Sequence, residues 1–187
     1  MIVLSAPSRY PMSTSLERIG PLKLEAIPQS LDGMSVLDIG GYDGRFAYQC
    51  LTRGASRAVC LDNDEWKEYY GQTWPAPEQF EGVVYEHGDF LDHQEQYDLV
   101  LCFNVLYHCA RWQEAADALR RLTKKTLCLS TYCAQGTQGW TPYIESGTNY
   151  ERATPTMPGL FKALGDAGFK DYPYLRVQDN VVVLRCA

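Results

Sequence analysis

The sequence predicts an α/β fold in a single domain, and three observations carry that expectation. Val36-Leu37-Asp38-Ile39 reads as a buried strand that runs through Gly40-Gly41-Tyr42-Asp43-Gly44 into a helix over residues 45–51. Further strand-like runs at 57–61, 82–86, 97–103 and 126–131 alternate with helical or loop segments. The length, 187 residues, allows one sizeable core and is too short for two comfortable ones.

Taken in order, the chain opens on an arm with Pro7 and Pro11, expected to be irregular. Ser15 can cap a helix through Ile27, with Leu16, Ile19, Leu24 and Ile27 apolar and Gly20-Pro21 as a candidate break. Residues 1–33 are therefore expected to form an arm and helix covering the site, ahead of a catalytic domain over 34–187. Gly54 closes the helix after the glycine turn. Two prolines in 64–80 predict a short helix and an aromatic loop. Residues 112–122 place Trp112, Ala115, Ala116, Leu119 and Leu122 at helical spacing, a core stripe. Lys124-Lys125 leads into the fifth strand.

Residues 133–158 form the longest stretch without a regular pattern, and their aromatic content argues against disorder. Met157-Pro158 opens a helix that Gly168 closes. Runs at 169–177 and 180–185, joined across Gln178-Asp179-Asn180, read as a closing hairpin.

Composition narrows the function. The formal net charge of −6 and the absence of any Lys/Arg-rich run disfavour general nucleic-acid binding. Seven cysteines with no Cys-x-x-Cys pair read as small buried hydrophobes in a reducing compartment. The three histidines show no zinc spacing, so no metal is expected. No apolar run has membrane-spanning length, and residues 1–10 lack a charged n-region, so a cytoplasmic location is expected.

The glycine turn is the chemical centre. Glycine lets backbone approach a ligand and take positive φ, and the following helix offers unpaired N–H groups. Asp38, at the strand's carboxyl end, suits a cationic or hydrogen-bond-donating ligand better than a phosphate. Asp62 ends the second strand, 18 positions beyond Gly44, where a carboxylate can accept both hydroxyls of a ribose.

Asp38-Ile39-Gly40-Gly41-Tyr42-Asp43-Gly44 resembles motif I of the class I S-adenosylmethionine (SAM) methyltransferases, with Tyr42 replacing the middle glycine. Asp98-Leu99-Val100-Leu101-Cys102, followed by Asn104-Val105-Leu106-Tyr107-His108, is similar to their motif IV. A bulky residue before Asp-Gly, and Trp66 four positions after Asp62, resemble the tRNA wobble-uridine methyltransferase-like branch and its small-molecule relatives.

The resemblance implies a Rossmann-like sheet of seven strands, mostly parallel with the last strand antiparallel, and helices on both faces. It implies SAM as cofactor, held by Asp38, Gly40, Gly41, Tyr42, Gly44, Asp62 and Asn63. It also implies an adenine site at Asp89 and Phe90, and a transfer point bordered by Phe103 and Asn104. His108 is the candidate general base, with Tyr107 beside it; orientation of the segment is the other role open to both. Tyr10, Trp66, Trp140, Tyr143 and Tyr150 are candidate substrate contacts.

The expected reaction is methyl transfer to a small-molecule acceptor, oxygen being favoured over nitrogen, by a monomer or homodimer. Alternatives are a tRNA or nucleoside methyltransferase and a non-catalytic methyltransferase-like subunit. A nicotinamide dehydrogenase fits poorly, because the turn does not match Gly-x-Gly-x-x-Gly and no Tyr-x-x-x-Lys pair occurs.

Overall fold

The computed structural model describes residues 14–63, 80–136, 139–144 and 151–187. Seven strands form one sheet: β1 (Ser35–Ile39), β2 (Arg57–Asp62), β3 (Val83–His87), β4 (Tyr97–Phe103), β5 (Thr123–Tyr132), β8 (Tyr174–Gln178) and β9 (Val181–Cys186). Their order is β3-β2-β1-β4-β5-β9-β8. The first five pair in parallel, and β9 runs antiparallel to both β5 and β8. This is the Rossmann-like, mostly parallel sheet expected from the sequence.

Both faces are covered, which is why the central strands read as continuous apolar runs. Helix α2 (Arg45–Thr52) inserts Ala47 and Cys50 on one face, against Val36, Ala58, Cys60, Leu99 and Leu101. Helices α3 (Trp112–Leu122) and α4 (Met157–Asp166) cover the other, against Leu37, Ile39, Val59, Val100 and Leu127. The stripe Trp112, Ala115, Ala116, Leu119 and Leu122 is buried throughout. Thr156 caps α4, its hydroxyl accepting from the Gly159 N–H at 3.2 Å.

Three local expectations are corrected. Helix α1 (Thr14–Ala26) continues through Gly20 and Pro21. Proline inside a helix costs about 3 kcal/mol, and the helix persists because Leu22 and Ala26 pack with Val181 and Val183 of β9. Strand β5 begins at Thr123, directly after α3, with a register shift opposite Tyr97–Leu99. Within the stretch expected to be irregular, β6 (Trp140–Ile144) and β7 (Glu151–Pro155) form an antiparallel pair. Pro142 hid that strand from the sequence; a two-stranded pair is all edge and tolerates a residue without an N–H. The arm at 1–13 and the aromatic loop at 64–79 lie outside the described residues.

The closing hairpin turns at Asp179 and Asn180, with φ of 51° and 63°. These are the left-handed values of a two-residue hairpin turn, which Asp and Asn tolerate best after glycine. Among the described residues, no helix is long and apolar enough to cross a membrane.

Candidate active site

Strand order reverses between β1 and β4, and in open α/β sheets the crevice beyond that switch point receives ligands. The segments leaving β1, β2 and β4 meet there. Gly40 turns out of β1 with φ 62°, and a Cβ on it would lie 2.4 Å from Val105 Cγ2. The motif I turn and the segment after β4 therefore touch, and only glycine permits that approach. The Gly40 N–H donates to the Leu61 carbonyl at 2.8 Å, fastening the same turn to β2.

Tyr42 takes φ 52°, the left-handed conformation that glycine adopts freely and other residues adopt at about 1–2 kcal/mol. Its N–H donates to Asp62 Oδ2 at 3.0 Å. The Asn63 N–H donates to Asp62 Oδ1 at 2.8 Å. Asp62 is buried, and burial pushes its carboxyl up to about 6 against the pull of those two amides and of His87. Each carboxylate oxygen keeps a lone pair for a further donor.

Asp38 is more secluded, at 1% exposure. Its Oδ2 accepts the Ala47 N–H of α2 at 3.2 Å. Its Oδ1 accepts no hydrogen bond among the described residues. Burial pushes the carboxyl up to about 8, and the neighbouring Asp43 and Asp62 push the same way. Gly41 leaves this carboxylate its space, since a Cβ there would lie 2.7 Å from Asp38 Oδ2 and 2.8 Å from Cys60 Sγ. Asp43, the third acid of the group, is engaged: Arg45 Nε donates to its Oδ2 at 2.8 Å, and the Arg45 N–H to its Oδ1 at 3.1 Å.

Asp89 is exposed after β3, its Oδ1 accepting the Leu91 N–H at 2.9 Å. Phe90 and Phe103 are buried on opposite faces of the sheet. Asn104 turns out of β4 with φ 63°, its Oδ1 accepting the Ser130 hydroxyl at 3.0 Å. A single 3₁₀ turn, Leu106–His108, follows, with the rings of Tyr107 and His108 4.1 Å apart, both half-buried. Strand β7 packs on this turn, and Trp112 Nε1 donates to the Ala153 carbonyl at 2.8 Å. That contact brings the β6–β7 pair, which carries Trp140 and Tyr143, beside His108. Tyr10, Trp66 and Tyr150 lie outside the described residues.

Sequence reasoning missed Lys23. It lies on α1 at 5% exposure, between the rings of Phe46 at 5.7 Å and Phe103 at 5.6 Å. The available signal was spacing: Ile19, Lys23 and Ile27 recur every fourth residue, which sets a lysine on the apolar side of the helix.

The chain matches a methyltransferase domain family over residues 10–178. The chain belongs to that family. No curated protein sequence matches it significantly. It is similar in fold to an S-adenosylmethionine-dependent methyltransferase from Mesorhizobium loti, with TM-score 0.66 and 16% identity over 90% of this chain and 96% of that one. Magnesium protoporphyrin IX methyltransferase from Synechocystis, with bound S-adenosylhomocysteine (SAH), gives TM-score 0.61 and 18% identity over 92% and 82%. The Burkholderia thailandensis 1,6-didemethyltoxoflavin-N1-methyltransferase, with bound 1,6-didemethyltoxoflavin and SAH, gives 0.60 and 17% over 97% and 93%. As a methyltransferase of this fold, the protein takes SAM as its donor.

The residues fit that donor. The donor's amino-acid end carries an ammonium, and Asp38 offers a buried carboxylate oxygen without a partner among the described residues. Among the described residues, no group of three or more His, Cys, Asp or Glu side chains could hold a metal ion.

Proposed function

We propose that the protein transfers the methyl group of SAM to a small-molecule acceptor, with an oxygen atom as nucleophile. The observation that carries this reading is the placing of Asp38 and Asp62 at the ends of adjacent strands, with the turn that follows Asp38 tied to Asp62 by the Tyr42 N–H. In this reading Asp38 receives the donor's ammonium and Asp62 its ribose hydroxyls. The bound sulfonium supplies the methyl and keeps the electron pair of the broken C–S bond. The chain's main task is then alignment, and positioning of two reactants can lower a barrier by about 7–11 kcal/mol.

His108 takes the proton that the acceptor hydroxyl gives up as its oxygen attacks the methyl. In the same reading Tyr10, Trp66, Trp140, Tyr143 and Tyr150 are the acceptor contacts, and the β6–β7 pair that carries Trp140 and Tyr143 packs on the turn holding His108. A net charge of −6 favours small acceptors over a phosphate backbone. The similarity to an enzyme whose structure holds 1,6-didemethyltoxoflavin supports the same choice. We place the protein in the cytoplasm, acting as a monomer or homodimer.

Transfer of labelled methyl from SAM to a panel of hydroxylated, carboxylated and amino compounds, with bulk tRNA as the contrasting acceptor, tests the reading. Label in the hydroxylated or carboxylated compounds is the expected result. Label in tRNA alone moves the protein to the wobble-uridine-like branch. SAH binding with no transfer to any acceptor makes it a non-catalytic subunit.

A further inference from the structure

Lys23 presents a buried cation with no stated purpose. Its ammonium pairs with no hydrogen-bond acceptor or carboxylate among the described residues; the faces of Phe46 and Phe103 are its near neighbours, and Asp38 acts on it through space. Lysine normally runs its stem along apolar surface and leaves the head in water. A charge enclosed without a partner is destabilising, so each such group in a native fold calls for an explanation.

The helix that carries it is fixed. Arg53 Nη1 donates to the carbonyls of Leu24, Ile27 and Pro28 at 3.1, 2.7 and 3.2 Å, capping the end of α1. The Tyr174 hydroxyl donates to the Leu22 carbonyl at 3.1 Å, and Cys128 Sγ to that of Ala26 at 3.2 Å. Lys23 is thus held over the crevice between α2, where Phe46 sits, and the end of β4, where Phe103 sits.

Asp38 belongs to the same enclosure and is equally short of partners, with one amide on Oδ2 and none on Oδ1 among the described residues. A lone anion there would satisfy Lys23 and repel Asp38; a lone cation would do the reverse. A ligand bearing both charges completes the two together. The α-amino acid is the simplest group of that kind.

We propose that Lys23 binds the α-carboxylate of the donor's amino-acid end while Asp38 binds its ammonium. This rests on SAM as donor and goes beyond it, making α1 part of the cofactor pocket and Lys23 the residue that reads the carboxylate. The two phenylalanine rings keep water from the ammonium, so an arriving carboxylate meets a charge that bulk solvent screens little.

The test is calorimetry on the full chain with two ligands, SAH and its decarboxylated analogue, which keeps the adenosine, sulfur and ammonium. The wild type is expected to bind SAH at least about tenfold more tightly than the analogue, the scale of one charge-assisted hydrogen bond. K23M is expected to lose that preference, binding SAH about tenfold more weakly and the analogue as before. Equal affinity of the wild type for the two ligands overturns the proposal however K23M folds. So does a K23M protein that keeps the preference. A wild type that binds neither ligand overturns the donor reading itself, and the role of Lys23 with it.

Discussion

The backbone N–H of Tyr42 reaches Asp62 Oδ2 at 3.0 Å, so the turn leaving β1 is held in place by the acid that ends β2. One carboxylate thereby serves both the turn and the proposed ribose contact. Asp62→Ala removes a charged acceptor and frees Tyr42 from the contact that fixes its left-handed backbone. Loss of a charged hydrogen bond costs about 1.5–3 kcal/mol, roughly ten- to a hundredfold in affinity. We expect calorimetric SAH binding to weaken by that factor; an unchanged dissociation constant rules out the ribose contact.

Asp38 and Lys23 predict an unusual pH dependence of stability in the ligand-free protein. Burial raises Asp38 to about 8 from 3.8 and lowers Lys23 to about 8 from 10.5. Between pH 4 and 8 the folded protein holds a proton on Asp38 that the unfolded chain has released, so stability falls as pH rises. Between 8 and 10.5 the unfolded chain holds a proton on Lys23 that the folded protein lacks, so stability rises again. Asp43 and Asp62 act on Asp38, and Arg45 on Lys23, in the direction of these shifts. Thermal melts of the ligand-free protein should show this pair's contribution at its minimum near pH 8. Asp38→Asn should remove the fall between about pH 6 and 8, leaving the fall that Asp62, raised to about 6, contributes below that and the rise above pH 8. A fall between pH 6 and 8 that survives Asp38→Asn assigns the dependence elsewhere.

Legibility in the sequence followed periodicity. Strand β4 and helix α3 were read with their observed bounds, because seven mostly apolar residues and a complete helical stripe each exceed what chance spacing gives. Asp38 and Asp62 were legible as acids at strand ends, a position set by local order along the chain. Lys23 was not, since its meaning depends on α1 crossing to the far half of the sheet, where β9 and β8 receive it. The β6–β7 pair was missed for a related reason. Its strands are short, one carries Pro142, and its place beside the 3₁₀ turn is fixed by Trp112 donating to Ala153, a contact between residues 41 positions apart.

His108 follows Tyr107 on the 3₁₀ turn beyond β4, its N–H donating to the Val105 carbonyl at 2.9 Å. Proton transfer by a positioned side chain contributes about 10²–10⁴-fold. His108→Gln keeps a polar side chain of similar reach and cannot act as a base. With a hydroxylated acceptor, we expect kcat to fall at least about a hundredfold and the acidic limb of its pH profile to disappear. A few-fold change with the limb intact gives His108 the orienting role instead.

Trp112 joins the core to the proposed acceptor wall. Its ring is buried in α3, and its Nε1 donates to the Ala153 carbonyl of β7 at 2.8 Å. Trp112→Phe keeps an aromatic ring in the core and leaves that carbonyl without its donor. An unsatisfied buried acceptor costs about 1–3 kcal/mol, and here the penalty falls on the attachment of β7 to the turn carrying His108. Asp38 and Asp62, the proposed cofactor acids, make no hydrogen bond to Trp112 or Ala153 and keep their own. The expected outcome is a rise in KM for the acceptor with SAH affinity within about twofold of wild type. Equal losses in acceptor and SAH binding would mean that Trp112 supports the whole fold and does not act selectively on the acceptor wall. Steady-state kinetics in the acceptor, run beside SAH calorimetry on the same preparation, separates the two outcomes.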